Sequence, residues 1–188
     1  MNYLDDILRY RPEGPIEEKE KQIILDYIRL FPDTVLTREN EMGHLTSSGF
    51  VVNKSRDKVL FIFHNIYQSW AWTGGHADGD TDMLYVAMKE VTEESGVKNL
   101  RPVTDEIITL DILPVFPHMK KGLPIGAHMH LNTTYLLEAD EEETLTVKPD
   151  ENSGVRWLPA DSLAEFVTEP EMLKVYNKIL HKIRARGL

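Results

Sequence analysis

Residues 74–97 constrain the fold more than any other part of the sequence, because they place a loop, a helix and a cluster of charge at fixed spacing. They read GGHADGDTDMLYVAMKEVTEESGV, a glycine-rich acidic loop that runs directly into a helix. Gly96 predicts where this helix ends, since glycine readily adopts the left-handed conformation of a helix C-terminus. An apolar stripe at helical spacing predicts that one helix face is buried against a sheet: Leu84, Ala87, Met88 and Val91.

The same helix carries a face of carboxylates. Glu90, Glu93 and Glu94 stand at positions i, i+3 and i+4, so their side chains crowd together. Such like charges repel one another unless a cation lies between them, and hard oxygen ligands suit Mg²⁺ or Mn²⁺. A solvated helix face is the simpler interpretation of glutamates alone. The acidic glycine loop directly before the helix favours a metal site.

The whole segment resembles the Nudix box, which is written G-x5-E-x7-R-E-U-x-E-E-x-G-U with U an aliphatic residue. Gly75 begins the box, Gly96 and Val97 end it, and the glutamates and Val91 between them are in register without a gap. Glycines at both ends and three glutamates at fixed spacing make this a specific motif. The resemblance covers about residues 41–168 and leaves the first 40 residues outside.

Two positions of the box differ from the family pattern. Thr81 stands where the family has a loop glutamate, and Lys89 stands where it has an arginine. In the family these two residues brace the loop against the helix. Asp80 or Asp82 is an alternative partner for Lys89 in this chain. The departures affect the brace and leave the metal-binding carboxylates in place.

The resemblance also implies which residues form the site. Glu90, Glu93 and Glu94 would bind Mg²⁺, or alternatively Mn²⁺, with the backbone carbonyl of Gly74 as a further ligand. A carboxylate that is not fully committed to the metal would act as the general base. Glu93 and Glu151 are the two candidates, and Glu151 lies in a loop far along the chain from the helix.

The remaining pattern predicts an α/β fold, a Nudix-type α/β/α sandwich with a mixed sheet and an N-terminal helical extension. Strand-like runs occupy residues 45–53, 59–64, 107–116 and 129–137, and a last helix begins near Pro170. Residues 1–40 form the extension, in which Pro15 suits a first helical turn, and residues 41–188 form the Nudix hydrolase domain. The extension would pack on that domain or on a second copy of the chain in a homodimer.

Composition excludes several classes of function. The chain has 188 residues, no cysteine and a net charge of −10, from 21 basic and 31 acidic residues. The acidic balance argues against a nucleic-acid partner, and no apolar run suggests a membrane partner. The absence of cysteine excludes thiolate metal sites and is compatible with a cytoplasmic protein. A phosphorylated small molecule would need a bound cation to approach this surface.

Histidines and aromatic residues supply the candidates for substrate binding. Of the seven histidines, His128 and His130 lie on one face of a predicted strand and are candidate donors to a substrate phosphate. A solvated strand face is an equal alternative, and a histidine-bound metal is disfavoured because the spacing matches no zinc motif. Trp70 is the candidate for stacking on a nucleobase, with packing beside a sheet end as its alternative.

These observations favour a metal-dependent hydrolase. The resemblance implies cleavage of a diphosphate linkage in a nucleoside diphosphate joined to another group, a small-molecule substrate written NDP-X. The altered residues Thr81 and Lys89 leave room for an alternative, a catalytically weak nucleotide-binding or regulatory module on the same fold. Isopentenyl-diphosphate isomerisation is set aside, because isomerases with this fold use a cysteine and this chain has none.

Overall fold

The computed structural model describes residues 2–120 and 122–188. Four helices lie in this part of the chain: α1 (Tyr3–Arg9), α2 (Pro15–Leu30), α3 (Met83–Ser95) and α4 (Pro170–Arg186). Nine strands accompany them: β1 (Gly43–Val52), β2 (Lys58–His64), β3 (Ser69–Ala71), β4 (Thr73–His76), β5 (Arg101–Val115), β6 (His118–Lys120), β7 (Leu123–Ile125), β8 (His128–Glu138) and β9 (Asn152–Pro159). No helix among them is long and apolar enough to cross a membrane.

Seven of the strands form one mixed sheet around β1. Its order is β3-β2-β1-β8-β5, with β4 also paired to β1 and β9 also paired to β2. β1 and β8 run parallel along their full length, whereas the other pairs are antiparallel. β4 and β2 share one edge of β1, so the strand that leads into α3 is hydrogen-bonded to the centre of the sheet.

Helices cover both faces of this sheet, which confirms the predicted α/β/α sandwich. Because side chains alternate across a strand, β1 and β8 each supply both cores. One core holds Leu45 and Tyr135 from the sheet together with the apolar stripe of α3. The other core holds Phe50 and Leu136 together with Tyr176 of α4. Two predictions are confirmed: residues 129–137 form a strand whose alternate side chains lie on opposite faces of the sheet, and the apolar stripe of α3 is buried.

The N-terminal helices contribute to the same core as the sheet. Ile7 of α1 and Ile24 and Ile28 of α2 are buried in the cluster that contains the α3 stripe. Pro15 occupies the first turn of α2, as expected, and the helix ends at Leu30. The extension therefore packs on the rest of the chain, the first of the two uses expected for it.

Two local features differ from the sequence-based expectation. Residues 117–126 were expected as a plain loop, but they contain the β6–β7 hairpin. β5 also begins at Arg101, several residues earlier than expected. Its first two residues, Arg101 and Pro102, pair with Glu138 and Leu137 of β8, and a shift in register separates these pairs from the rest of the β5–β8 ladder. Both features depend on strand pairing, which local hydrophobic periodicity does not report.

A buried charged network joins the extension to α4. The ammonium of Lys182, only 1% exposed, donates to Glu17 Oε2 at 2.8 Å, to Tyr10 Oη at 2.9 Å and to the Ile108 carbonyl at 3.2 Å. Tyr10 and the Glu13 backbone N–H also donate to Glu17 Oε2, each at 2.7 Å. Burial raises the pKa of Glu17, but these hydrogen bonds outweigh burial and hold it below its ordinary value.

Lys182→Met should destabilise the protein strongly, because it leaves the buried Glu17 carboxylate with a single, more distant cation, Lys178, whose Nζ lies 3.4 Å from Glu17 Oε1. Breaking a buried pair in this way costs about 3–5 kcal/mol of unfolding free energy. Urea unfolding would measure it, with Lys174→Met as the matched control at an exposed lysine. The double variant Glu17→Gln/Lys182→Met should recover part of the loss, and a double variant as unstable as the single one would contradict this account.

The same pair predicts a dependence on pH. A carboxyl whose pKa is depressed by folding contributes stability above its unfolded pKa and loses that contribution as pH falls through its folded pKa. The stability difference between wild type and Lys182→Met should therefore shrink as the pH is lowered below the ordinary pKa of a glutamate. Urea midpoints measured across the acidic range would test this, and a constant difference would contradict it.

Candidate active site

The helix α3 presents its carboxylates from a firmly anchored position. Asp82 caps its N-terminus by accepting a hydrogen bond from the Tyr85 backbone N–H at 3.0 Å. Ala87 and Val91 are fully buried in the core on its opposite face. Gly96 ends the helix in the left-handed conformation, with φ of 78°. The direction in which the glutamates point is therefore set by packing.

Glu90 lies against the main chain of β4. A Cβ placed on Gly75 would come within 2.4 Å of the Glu90 carboxyl carbon, so only glycine leaves room for this carboxylate. Burial raises the pKa of Glu90, and the neighbouring charge of Glu93 adds to the increase, while Lys89 opposes it. The glycine that begins the motif thus serves to bring loop and carboxylate together.

Glu94 and Glu151 form the deepest part of the cluster. Glu94 is 4% exposed, and its Oε2 has no hydrogen-bond partner among the described residues. Burial, then the hydrogen bond with Glu151, raises the pKa of Glu94 to about 9, so its carboxyl group holds a proton at neutral pH. The pKa of Glu151 is lowered, because the hydrogen bond from Glu94 and the charge of Lys148 outweigh its burial.

The start of β9 brings Glu151 to the helix. Asn152 Nδ2 donates to the backbone carbonyl of Glu94 at 2.9 Å, which ties this strand to the last turn of α3. On the other side, the Asn65 N–H donates to the Glu151 carbonyl at 3.0 Å. The structure thus brings Glu151 to the helix carboxylates, and its role as a general base stays a prediction.

Two lysines offset part of the negative charge at the more exposed side of the carboxylate cluster. Lys148 Nζ lies 3.4 Å from both Glu93 Oε2 and Glu151 Oε1, and Lys89 Nζ lies 3.6 Å from Glu90 Oε1 and 3.9 Å from Glu93 Oε1. Lys89 thus lies beside the carboxylates that follow it on α3. Sequence reasoning missed Lys148, although its spacing of three residues from Glu151 was a signal for a local ion pair.

Gly74 is required by the strand beside it. A Cβ at this position would lie 2.3 Å from Ser48 Oγ and 2.9 Å from the Ser47 carbonyl oxygen of β1. Gly74 therefore allows β4 to pair closely with β1, while Gly75 allows β4 to approach Glu90. Coordination by the Gly74 carbonyl stays a prediction.

The structure gathers four histidines into one cluster. His44 on β1, His76 on β4 and His128 and His130 on β8 place one ring nitrogen each within 4.8 Å of all the others. Burial, followed by the charge of Arg38, lowers the pKa of His76 to about 3. Burial, with the neighbouring histidines, lowers the pKa of His130 to about 2. His76 and His130 are therefore neutral at physiological pH.

Sequence reasoning paired His128 with His130 but missed His44. The two predicted residues lie on one face of β8, as the alternation of the strand required. His44 joins them because β1 and β8 run parallel with His44 directly opposite His130. No local pattern reports that register, so no signal in the sequence could have found His44.

Trp70 lies on β3 at the other side of β2. Its ring packs edge to face on Phe63, with ring centroids 5.5 Å apart, and the guanidinium of Arg156 lies 4.5 Å from its centroid. The indole is half-buried in these contacts. They fit the packing alternative, and stacking of Trp70 on a nucleobase stays a prediction.

Cavity shape alone does not identify the site. A cavity of about 340 Å³ lies between α1, the segment that follows it, β5 and the end of α4, away from the α3 glutamates. Beside Glu151, a small recess is lined by Lys120, His64 and Ile66. We assign the site to the carboxylates because four of them converge there, with a cationic Lys120 beside the recess that would receive an anion.

The carboxylate cluster fits a hard divalent cation. All four side chains, Glu90, Glu93, Glu94 and Glu151, offer oxygen, which is the ligand that Mg²⁺ and Mn²⁺ prefer. The buried Glu94 oxygen without a partner is a position where an ion would replace a missing interaction. Together, the fold and this cluster define a class of protein with a helix of glutamates suited to a divalent metal ion beside a mixed sheet.

Comparison with known proteins identifies the family. The family model described as NUDIX domain matches residues 43–179, so the chain belongs to the Nudix family. Members act on pyrophosphate bonds of nucleotide-like substrates, and the chain is accordingly a hydrolase of phosphorus-containing acid anhydrides. No curated protein sequence matches the chain.

Solved structures share the fold at low sequence identity. A C. elegans Ap4A hydrolase aligns with a TM-score of 0.54 at 17% identity, over 77% of this chain and 98% of that chain. RenU, a Nudix hydrolase from M. smegmatis, aligns with a TM-score of 0.56 at 18% identity, over 77% and 88%. An E. coli dihydroneopterin triphosphate pyrophosphohydrolase aligns with a TM-score of 0.53 at 14% identity, over 72% and 94%. The shared feature is the fold.

The substitution Gly75→Ala should impair metal binding and turnover while it leaves the stability of the fold nearly unchanged. Its new Cβ meets the movable end of Glu90, so stability should change by less than about 1 kcal/mol, while Mg²⁺ affinity and turnover fall at least tenfold. Gly74→Ala is the matched comparison, because its Cβ meets β1 backbone and should mainly lower stability. Thermal melts and Mg²⁺ titration would measure both, and a Gly75→Ala protein with wild-type affinity and turnover would contradict the assignment.

Proposed function

We propose that this protein hydrolyses a diphosphate linkage in an NDP-X small molecule and that it requires Mg²⁺, with Mn²⁺ as a substitute. The observation that carries the proposal is the convergence of Glu151 with Glu90, Glu93 and Glu94 of α3, where Glu94 is buried and Glu93 is exposed. The names of two structural neighbours, an Ap4A hydrolase and a dihydroneopterin triphosphate pyrophosphohydrolase, support a phosphoanhydride of this general kind.

Glu90, Glu93 and Glu94 would hold the metal, with the Gly74 carbonyl as a further ligand. A bound divalent ion neutralises the diphosphate charge and lowers the pKa of a water molecule. The Gly75 main chain keeps Glu90 in place, and the buried face of α3 orients all three glutamates. These contacts hold the ligands in a fixed arrangement before substrate arrives, which reduces the reorganisation that the reaction requires.

Glu151 is our choice of general base over Glu93. Its pKa is held below the ordinary value, so its carboxylate is ionised at neutral pH. Glu151 also lines the recess beside Lys120 and His64, where an anionic substrate group would lie. Lys148 pairs with both glutamates, but Glu93 is the more exposed of the two and also pairs with Lys89, which suits a ligand at the rim of the cluster.

Cations near the cluster would help to bind the substrate. Lys120 beside Glu151 supplies positive charge in a protein whose net charge is −10, and Arg38, which is paired with Asp78, adds a cation whose charge acts on Glu90. His128 and His130 remain candidate contacts for a phosphate, and Trp70 remains a candidate for base stacking. The cytoplasm is the compartment that we propose for this activity, and a chain without cysteine is compatible with it.

A substrate panel tests the proposed reaction. The protein is incubated with Mg²⁺ and ADP-ribose, nucleotide sugars, dinucleoside polyphosphates and oxidised nucleoside triphosphates, and mass spectrometry identifies the products. Cleavage at a diphosphate linkage should be found for at least one member and should stop with EDTA. Tight nucleotide binding without any turnover across the panel would favour the regulatory-module alternative, and turnover that survives EDTA would contradict the metal requirement.

Glu151→Gln tests the general base. The substitution keeps the size of the side chain but removes its ability to take a proton, so kcat should fall about 10²–10⁴-fold. Mg²⁺ affinity should stay within a few-fold of wild type, because Glu90, Glu93 and Glu94 remain. Glu165→Gln, at an exposed glutamate, is the matched control. An unchanged kcat in Glu151→Gln would transfer the role of base to Glu93.

A further inference from the structure

The four-histidine cluster is built by strand pairing and does not overlap with the carboxylate cluster. His44 of β1 lies opposite His130 of β8, and His76 of β4 lies opposite Thr46, two residues after His44. Residues two apart on a strand share a face, so all these rings lie on the same side of the sheet. Ring centroids of neighbouring pairs are 4.9–5.3 Å apart.

Hydrogen bonds outside the cluster set which ring nitrogens face its centre. His44 Nδ1 lies 3.0 Å from the Asn40 carbonyl oxygen, and His128 Nδ1 lies 2.9 Å from the Gly126 carbonyl oxygen. A carbonyl accepts only from an N–H, so Nδ1 carries a hydrogen in both rings, and Nε2 is the nitrogen whose lone pair is available to a metal ion when the ring is neutral. Metal-ligating histidines have this second hydrogen bond, which fixes the tautomer and the ring orientation.

The inward nitrogen of His44 has no donor. His44 is 4% exposed, and its Nε2 has no hydrogen-bond partner among the described residues. The Nε2 atoms of His128 and His130 lie 3.2 Å from each other, within hydrogen-bond distance, so a hydrogen on one of them is shared with the lone pair of the other. The buried lone pair of His44 has lost its hydration without gaining a partner, which is unfavourable. A cation at the centre would give His44 a partner and take the place of the hydrogen between His128 and His130.

The N-terminal extension supports this arrangement. Asn40, whose carbonyl orients His44, accepts a hydrogen bond on its Oδ1 from Tyr27 Oη of α2 at 2.7 Å. Its Nδ2 donates to Thr34 Oγ1 at 3.3 Å. His44 is therefore held by a side-chain network that reaches from the sheet into the extension.

We infer that His44, His76, His128 and His130 form a second metal site, one that takes a late first-row transition ion such as Zn²⁺ in tetrahedral coordination by four imidazoles. Imidazole nitrogen suits zinc, copper, nickel and cobalt, whereas Mg²⁺ requires oxygen. Zn–N bonds of 2.0–2.1 Å separate tetrahedral ligand nitrogens by about 3.3 Å. The His128–His130 pair already has this separation, and the other nitrogens reach it by side-chain rotation within the 4.8 Å that spans the cluster.

The same orientation bears on the phosphate-binding prediction for His128. A neutral ring that donates from Nδ1 to a carbonyl presents a lone pair at Nε2, which repels a phosphate oxygen. A metal ion uses that lone pair directly. The metal site and the phosphate contact therefore make opposite demands on the same atom, and metal binding distinguishes them.

Cobalt binding tests the site. Untagged protein, stripped with a chelator and dialysed, is titrated with Co²⁺ in excess Mg²⁺, which occupies the carboxylate cluster. We expect one Co²⁺ per chain with the intense visible bands of a tetrahedral ion, displaced by one equivalent of Zn²⁺. His76→Gln and, separately, His128→Gln should each weaken Co²⁺ binding at least tenfold. His181→Gln, an exposed histidine on α4, is the matched control and should bind as wild type does.

Two results would overturn the inference. The first is the absence of a tetrahedral Co²⁺ spectrum from the wild-type protein. The second is wild-type Co²⁺ affinity in His76→Gln and His128→Gln proteins that thermal melts show to be folded. His76 and His128 are only partly buried, so the substitutions should leave the fold intact. The spectrum does not depend on turnover, so failure of the proposed hydrolysis would leave this test unaffected.

Discussion

The close contact between β4 and α3 is the constraint on which the rest of the site depends. Gly75 lets the β4 main chain lie against the Glu90 carboxylate, and β4 is itself hydrogen-bonded to the central strand β1. α3 is held from its other side by the apolar core. The glutamates are therefore fixed between a rigid strand and a packed helix, and their repulsion cannot be relieved by moving the backbone.

That repulsion would be the source of the chemistry that we propose for this site. Glu94 holds a proton at neutral pH in the absence of metal because burial and Glu151 disfavour its charge. A fold that brings carboxylates together in this way stores unfavourable electrostatic energy at its active site, as functional sites commonly do. Lys89 and Lys148 reduce that energy only at the rim, since the buried Glu94 oxygen has no partner.

Two different sets of candidate metal ligands lie on different elements around the sheet. Oxygen donors lie on α3 and at the start of β9, whereas nitrogen donors lie on β1, β4 and β8. β4 belongs to both, since Gly75 contacts Glu90 and the next residue, His76, joins the histidines. Hard ions such as Mg²⁺ prefer oxygen and ions such as Zn²⁺ prefer imidazole nitrogen, so different ions would bind at the carboxylate cluster and at the histidine cluster. The N-terminal helices contribute to the second through Tyr27 and Asn40.

What the sequence alone determined follows from local periodicity. The two faces of α3, the glycine that ends it and the alternation of β8 repeat at 3.6 or 2 residues, so the buried stripe, the three helix glutamates and the sandwich could all be predicted. Convergence of Glu151 with the helix was proposed by resemblance, but its hydrogen bond with Glu94 was not. Only the tertiary structure placed Lys148 among the glutamates and His44 among the histidines. Both depend on contacts between segments far apart in the chain, above all the parallel register of β1 on β8, which no local pattern encodes.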